Sequence, residues 1–154
     1  MPLVGVVMGS KSDTEALKPA LEILEQLGID HEINVISAHR TPEKARQYGM
    51  AARERGIEVI IAAAGGAAHL PGVLASWSTL PVIGVPLVSG ELKGVDALYS
   101  IVQMPAGIPV ACVAVGTAGA KNAAYLAAEI LGIKYENISE AYVKYRRELQ
   151  GESR

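Results

Sequence analysis

Three short polar segments carry the side chains able to do chemistry: Gly9-Ser10-Lys11-Ser12-Asp13, Ser37-Ala38-His39-Arg40-Thr41-Pro42 and Gly65-Gly66-Ala67-Ala68-His69-Leu70-Pro71-Gly72. Together they hold serine hydroxyls, a carboxylate, a guanidinium and two of the 3 histidines. Arg40 offers a planar fork that can grip a phosphate or carboxylate with two parallel bonds. His39 beside it is suited to giving and taking a proton near neutral pH. Gly9 permits a tight turn, Ser10 and Ser12 supply hydroxyls, and a helix starting there would turn the positive end of its dipole to a phosphate. Asp13 would repel a phosphate and is assigned to sugar hydroxyls; Ser12 or Asp13 could equally cap that helix. His69 is either a ligand contact, because Gly65 and Gly66 let the backbone come close, or a helix-start hydrogen-bond partner. The set suits a small phosphorylated substrate and proton-transfer chemistry.

The elements that must position these segments are legible around them. Each polar segment directly follows an apolar run that reads as a strand, over residues 3–8, 33–36 and Val59–Ala64. In an open parallel sheet all strands end on one side, so the three turns would meet in one crevice. Strand-like and helix-like segments alternate along the chain, which predicts an α/β doubly wound fold. A helix is expected over 12–27, with Leu17, Leu21, Ile23, Leu24 and Leu27 on one side, and Gly28 as its stop. Pro19 inside it should kink it or cost a hydrogen bond. Thr41, Pro42 and Glu43 form a helix start, with the helix running to about Arg55 and ended by Gly56. Residues 81–86 and 109–115 read as fourth and fifth strands, the latter holding Cys112 as a small buried hydrophobe rather than a catalytic thiol. An alanine-rich helix is expected over 118–131. A last amphipathic helix over 135–149 could fold back on its own sheet or reach another subunit. His31, at the far end of its strand, is read as solvated. With no linker or repeat, residues 1–154 are expected to form a single catalytic domain.

Composition narrows the function classes. The 154 residues can bury about 70% of their unfolded surface, enough for a core without staples. The 14 basic and 16 acidic side chains nearly cancel, with no basic run, so nucleic acid is not an expected partner. No basic leader precedes the first strand, and one cysteine allows no internal disulfide; both fit an expected cytoplasmic location. No Cys/His/Asp cluster has metal-ligand spacing. The segment Ala114-Val115-Gly116-Thr117-Ala118-Gly119 lacks the first glycine of a dinucleotide fingerprint, and no later strand follows to supply a ribose-binding acid. From residue 59 to 120 the only charged side chains are Glu91, Lys93 and Asp96. Glycines and prolines at 65, 66, 71, 72, 81, 84 and 86 break that stretch, so it is no membrane span. Burial on more than one side is the better reading, partly by helices on both faces of the sheet and partly by other subunits. On that reading, an arginine at Ala75 or Ala124 would break the assembly unless those positions face the chain's own sheet.

Four motifs in order, the three above (with Met8 and Ala64 at their heads) and Ser100-Ile101-Val102-Gln103-Met104-Pro105, resemble the N5-carboxyaminoimidazole ribonucleotide mutase family, the class I catalytic subunits of phosphoribosylaminoimidazole carboxylase. The resemblance covers nearly the whole chain. It implies a flavodoxin-like three-layer sandwich with an extra C-terminal helix, assembled as a homo-octamer with active sites at subunit junctions and no metal or organic cofactor. It implies an isomerase of de novo purine synthesis that moves a carboxyl group from the exocyclic nitrogen of the aminoimidazole to ring carbon C4. His39 would be the general acid/base; Ser10, Asp13 and Arg40 would bind the nucleotide; Ser12, Ser37, Gly65, Gly66 and His69 would line the same pocket. The rival on the same fold is the class II carboxylase, which uses free carbon dioxide and carries Lys at the position of Arg40. A non-catalytic nucleotide-binding module would need Arg40 and the serines but could dispense with His39.

Overall fold

The computed structural model describes residues 1–151, so the expected domain boundary at 154 lies outside the described residues. In chain order the elements are β1 (Val4–Met8), a 3-10 turn (Lys11–Asp13), α1 (Thr14–Gln26), β2 (His31–Val35), α2 (Pro42–Ala51), β3 (Val59–Ala64), α3 (Leu70–Trp77), β4 (Val82–Pro86), α4 (Val95–Val102), β5 (Ala111–Cys112), α5 (Gly116–Gly132) and α6 (Glu136–Leu149). The five strands are parallel, in the order β2-β1-β3-β4-β5. This is the flavodoxin-like order, which reverses direction between β1 and β3 and opens a crevice there at the carboxyl ends. Register brings those ends level: Met8 stands opposite both Val35 and Ala63.

Side-chain alternation along the strands splits the core in two. Val4, Val6 and Met8, with Val59, Ile61 and Ala63, face α1, α5 and α6. Val7, Ile60, Ala62 and Ala64 face α2, α3 and α4. Both faces are covered, which explains strands that are apolar at every position of β1, β3 and β4. Helix α5 lies beneath both α1 and α6, and Ala120, Ala123, Ala124, Ala127 and Ala128 are fully enclosed. Its bare circumference is therefore satisfied within the chain. Ala124 and Ala75 both face the chain's own core. The stated exception therefore applies: arginine at either position would test folding rather than assembly.

Several element boundaries differ from expectation for identifiable reasons. The first helix is preceded by a separate 3-10 turn, and α1 continues unbroken through Pro19. The bond that Pro19 cannot donate would have gone to the carbonyl of Glu15, an exposed residue in the first turn of α1. Helix α2 stops at Ala51, and turns carry the chain on to Gly56, whose φ is 90°. The fifth strand pairs only through Ala111 and Cys112, because Pro109 has no N–H and Ala114 already turns out of the strand at a φ of 148°. Cys112 is half-buried rather than enclosed, and burial pushes its thiol pKa up, away from thiolate reactivity. Helix α6 folds back on α5 of its own chain, with Ile138 buried. Among the described residues no helix is long and apolar enough to cross a membrane.

Candidate active site

At the carboxyl ends of β1, β2, β3 and β4 the chain forms a cleft of about 340 Å³. Its lining takes Ser10, Ser12 and Asp13 from the turn after β1, and Ser37, His39 and Arg40 from the loop after β2. Gly65, Ala67, Ala68 and His69 come from the loop after β3, and Ser89 from the loop after β4. The crevice read from the sequence is thus present, at the point where the strand order reverses.

Local hydrogen bonds hold each loop. Ser10 caps the 3-10 turn: its Oγ accepts from Ser12 N–H at 3.3 Å while Asp13 Oδ2 accepts from Ser10 N–H at 3.1 Å. This reciprocal box fixes Asp13 with one carboxylate oxygen already engaged. Burial pushes the Asp13 carboxyl above its ordinary value, against the pull of the Ser10 N–H. Ser12 and Ser10 hydroxyls lie 2.9 Å apart. In the second loop Arg40 N–H donates to Ser37 Oγ at 3.1 Å. Thr41 stands at the start of α2 without capping it; its hydroxyl donates to the Ser37 carbonyl at 2.9 Å. Both bonds close the loop on itself and fix the backbone between Ser37 and Thr41, where His39 and Arg40 project.

The third loop meets the second through the histidines. His39 Nε2 and His69 Nδ1 are 2.6 Å apart, with the rings edge to face at 88°. A contact of that length requires one nitrogen to donate and the other to accept, so a single proton lies between the rings. His69 precedes α3 but its side chain makes no cap bond there. Of the two sequence readings for His69, the side-chain contact supports the cleft over the helix start. Ion pairs among the described residues join Arg46 to Glu43, Arg55 to Glu32 and Lys134 to Glu58, none of which involves Arg40. The cleft therefore offers an unspent guanidinium, a histidine pair, a carboxylate and several hydroxyls around small apolar walls. That set can bind an anionic, hydroxylated ligand and pass a proton to it.

Ser10, Ser12, Asp13, Ser37, His39, Arg40, Gly65 and His69 all line the cleft. Gly66 stands between the lining residues Gly65 and Ala67 and donates its N–H to Ser89 Oγ at 3.1 Å. Ser89 is the residue that sequence reasoning missed. The rule that found the other turns, polar residues just beyond an apolar strand, applies equally to the end of β4. His31 is at the opposite end of β2, partly exposed, with Nδ1 3.0 Å from the Ile29 carbonyl.

The sequence profile of a family described as AIR carboxylase matches residues 3–152. The chain is 59% identical over 152 residues to the N5-carboxyaminoimidazole ribonucleotide mutase of Saccharolobus solfataricus, covering 99% of this chain and 95% of that one. It is 65% identical over 134 residues to the protein of the same name from Aquifex aeolicus, covering 87% and 79%. A solved structure, that of Treponema denticola PurE, superimposes with a TM-score of 0.85 at 30% identity, covering 99% of this chain and 94% of that one. The chain belongs to the AIR carboxylase family.

Proposed function

We propose that this chain is an N5-carboxyaminoimidazole ribonucleotide mutase, an isomerase of de novo purine biosynthesis that yields 4-carboxy-5-aminoimidazole ribonucleotide. The relatives named above support the activity, and the observation that carries its mechanism is the His39–His69 contact at the carboxyl ends of the strands. In this reading Ser10 and Ser12 bind the phosphate at the start of the first helical turn, Asp13 accepts from the sugar hydroxyls, and Arg40 pairs with the anionic nucleotide. Ser37, Gly65 and His69 complete the pocket, and the chain acts as one catalytic domain.

His39 is the general acid and base. As imidazolium it protonates the exocyclic nitrogen while the nitrogen–carbon bond of the carbamate breaks, releasing neutral carbon dioxide and aminoimidazole ribonucleotide. The amino group then pushes electrons through the ring, C4 attacks carbon dioxide, and His39 takes the C4 proton as aromaticity returns. One proton leaves His39 and one returns, so no other co-reactant is needed. Such acid–base help is typically about 10² to 10⁴ in rate, and holding carbon dioxide against C4 adds a proximity effect. His69 keeps the His39 ring in place through the shared proton.

Closed association is part of this proposal, as a homo-octamer in the cytoplasm. His39, Arg40 and His69 are all exposed on the single chain, and a gas molecule would leave so open a cleft before capture. Large apolar side chains are also exposed from the cleft's rim onward: Val88, Leu92, Val95, Tyr99 and Val102. Neighbouring subunits would cover both at once. The class II reading, with free carbon dioxide as substrate, is not favoured, because Arg40 stands where that class is expected to carry Lys. The test is turnover of the carbamate substrate by purified protein with and without added bicarbonate. Equal rates support the mutase, and a requirement for bicarbonate would replace it with the carboxylase.

A further inference from the structure

One side chain of the cleft is outside all four sequence motifs. Ser89 enters from the loop after β4, and its Oγ accepts the Gly66 N–H at 3.1 Å. A hydroxyl has two acceptor positions and one proton to give. Among the described residues no protein group takes that proton. The hydroxyl is also fitted to the β3 loop: a side chain begun at Gly65 would lie 2.7 Å from Ser89 Oγ and 3.2 Å from its Cβ. Gly65 is thus small because Ser89 is there. Beyond it Ala68 N–H donates to the Gly65 carbonyl at 3.1 Å, with Ala68 held at a left-handed φ of 36°, and His69 follows directly. The loop that presents His69 is therefore tied to β4 through one serine.

We propose that Ser89 is a further substrate-binding residue, donating its free proton to the carboxyl group that the reaction moves. This rests on the mutase reading above. Of the β3-loop residues in the cleft, Ala64, Gly65, Ala67 and Ala68 offer no side-chain donor and the His69 Nδ1 is engaged by His39, so Ser89 is the hydroxyl placed to recognise a carboxylate there. A neutral hydroxyl suits the task. The migrating group alternates between an anion and neutral carbon dioxide, and a cation would hold the carboxylate ground state too firmly for the first bond to break. The Gly66 N–H, by donating to Ser89 Oγ, aligns the hydroxyl and makes it a better donor.

The test compares two nucleotides that differ only in the carboxyl group, aminoimidazole ribonucleotide and its 4-carboxy derivative. Calorimetry on the wild type, Ser89→Ala and Ser89→Thr gives their affinities, and product analysis gives the share of turnovers that release aminoimidazole ribonucleotide. Ser89→Ala should weaken the 4-carboxy nucleotide about tenfold or more, leave the uncarboxylated one within about twofold, and raise the released share. Ser89→Thr, which keeps the hydroxyl, should restore selectivity. Equal losses for both nucleotides would mean that Ser89 acts only through the Gly66 turn, and no loss would mean that it touches nothing; either overturns the proposal. If Ser89→Ala lacks a cooperative melt, Ser89→Cys, with a weak donor of similar shape, makes the same comparison. A wild type inert toward the carbamate sinks the mutase reading itself, whereas an active wild type with an indifferent Ser89 sinks this proposal alone.

Discussion

The two ends of the sheet carry clefts of the same size, about 340 Å³ each, and use their charges in opposite ways. At the amino end, Glu58 accepts from Lys134 Nζ at 2.6 Å and from Tyr135 hydroxyl at 2.6 Å, and Arg53 donates to Thr79. Those groups satisfy one another and fasten the end of α5 to the start of β3. At the carboxyl end the Arg40 guanidinium has no carboxylate partner among the described residues, Asp13 sits partly desolvated, and two histidines face each other across one proton. Equal volume does not distinguish the clefts; unsatisfied functional groups do. A polar group left without a partner costs stability unless a ligand completes it, so such groups collect where a ligand binds.

The largest expected effect is at the carboxyl end. His39→Asn should abolish turnover, a fall of at least about 10² to 10⁴. The cooperative melt and nucleotide binding should stay close to wild type. Near-normal activity in that variant would favour a binding module over an enzyme. Arg40→Ala should weaken a substrate-analogue nucleotide roughly ten- to a hundredfold by calorimetry, the usual loss for a charge-assisted bond; unchanged affinity would put the anion elsewhere.

Asp13→Asn separates function from stability. Its folded-state pKa lies above the unfolded one, so protonation favours the fold and the charged form opposes it as pH rises. The amide should therefore melt no lower than wild type at neutral pH while binding nucleotide less tightly. A lower melting temperature with unchanged affinity would give Asp13 a structural role only.

The amino end should respond the other way. Lys134→Met should leave turnover unchanged, since the pair it breaks is exposed and remote from the carboxyl-end cleft. The Lys134 ammonium and Tyr135 hydroxyl hold the Glu58 carboxyl below its ordinary value. That contribution to stability is present at neutral pH and disappears as pH falls through the depressed folded-state value. Thermal melts between neutral and acid pH should show the wild type losing a small advantage over Lys134→Met on acidification. A turnover defect in Lys134→Met would remove the contrast between the two ends.

Three of the four loops that build the cleft were legible because Gly, Ser, His and Arg stand out directly after an apolar strand. The fourth, with Ser89, obeys the same rule but is marked more faintly, because Val88-Ser89-Gly90 has no charge or histidine. The charge-poor stretch from 59 to 120 was legible as buried but not as to what covers it. Within it Ala75 is covered by its own core, while Tyr99 and Val102 on α4 are exposed. The bare α5, which starts at the end of that stretch, has its alanine face enclosed by its own chain, although its sequence looks as much in need of cover as α4 does. Composition reports the need for cover, and only the path of the chain reports who supplies it. The same limit explains the short β5: an edge strand has one neighbour, and the backbone turn at Ala114 that ends it is invisible in a run of small apolar residues.

The most direct measurement follows the carboxyl carbon. Carbamate substrate labelled with ¹³C at the carboxyl group is converted by the wild type in excess unlabelled bicarbonate, and the product is read by NMR. Carbon dioxide held against C4 in the His39 cleft predicts that the label stays in the 4-carboxy product. Replacement of the label by unlabelled carbon would show that carbon dioxide is taken from solution, and would contradict a mutase acting within one site.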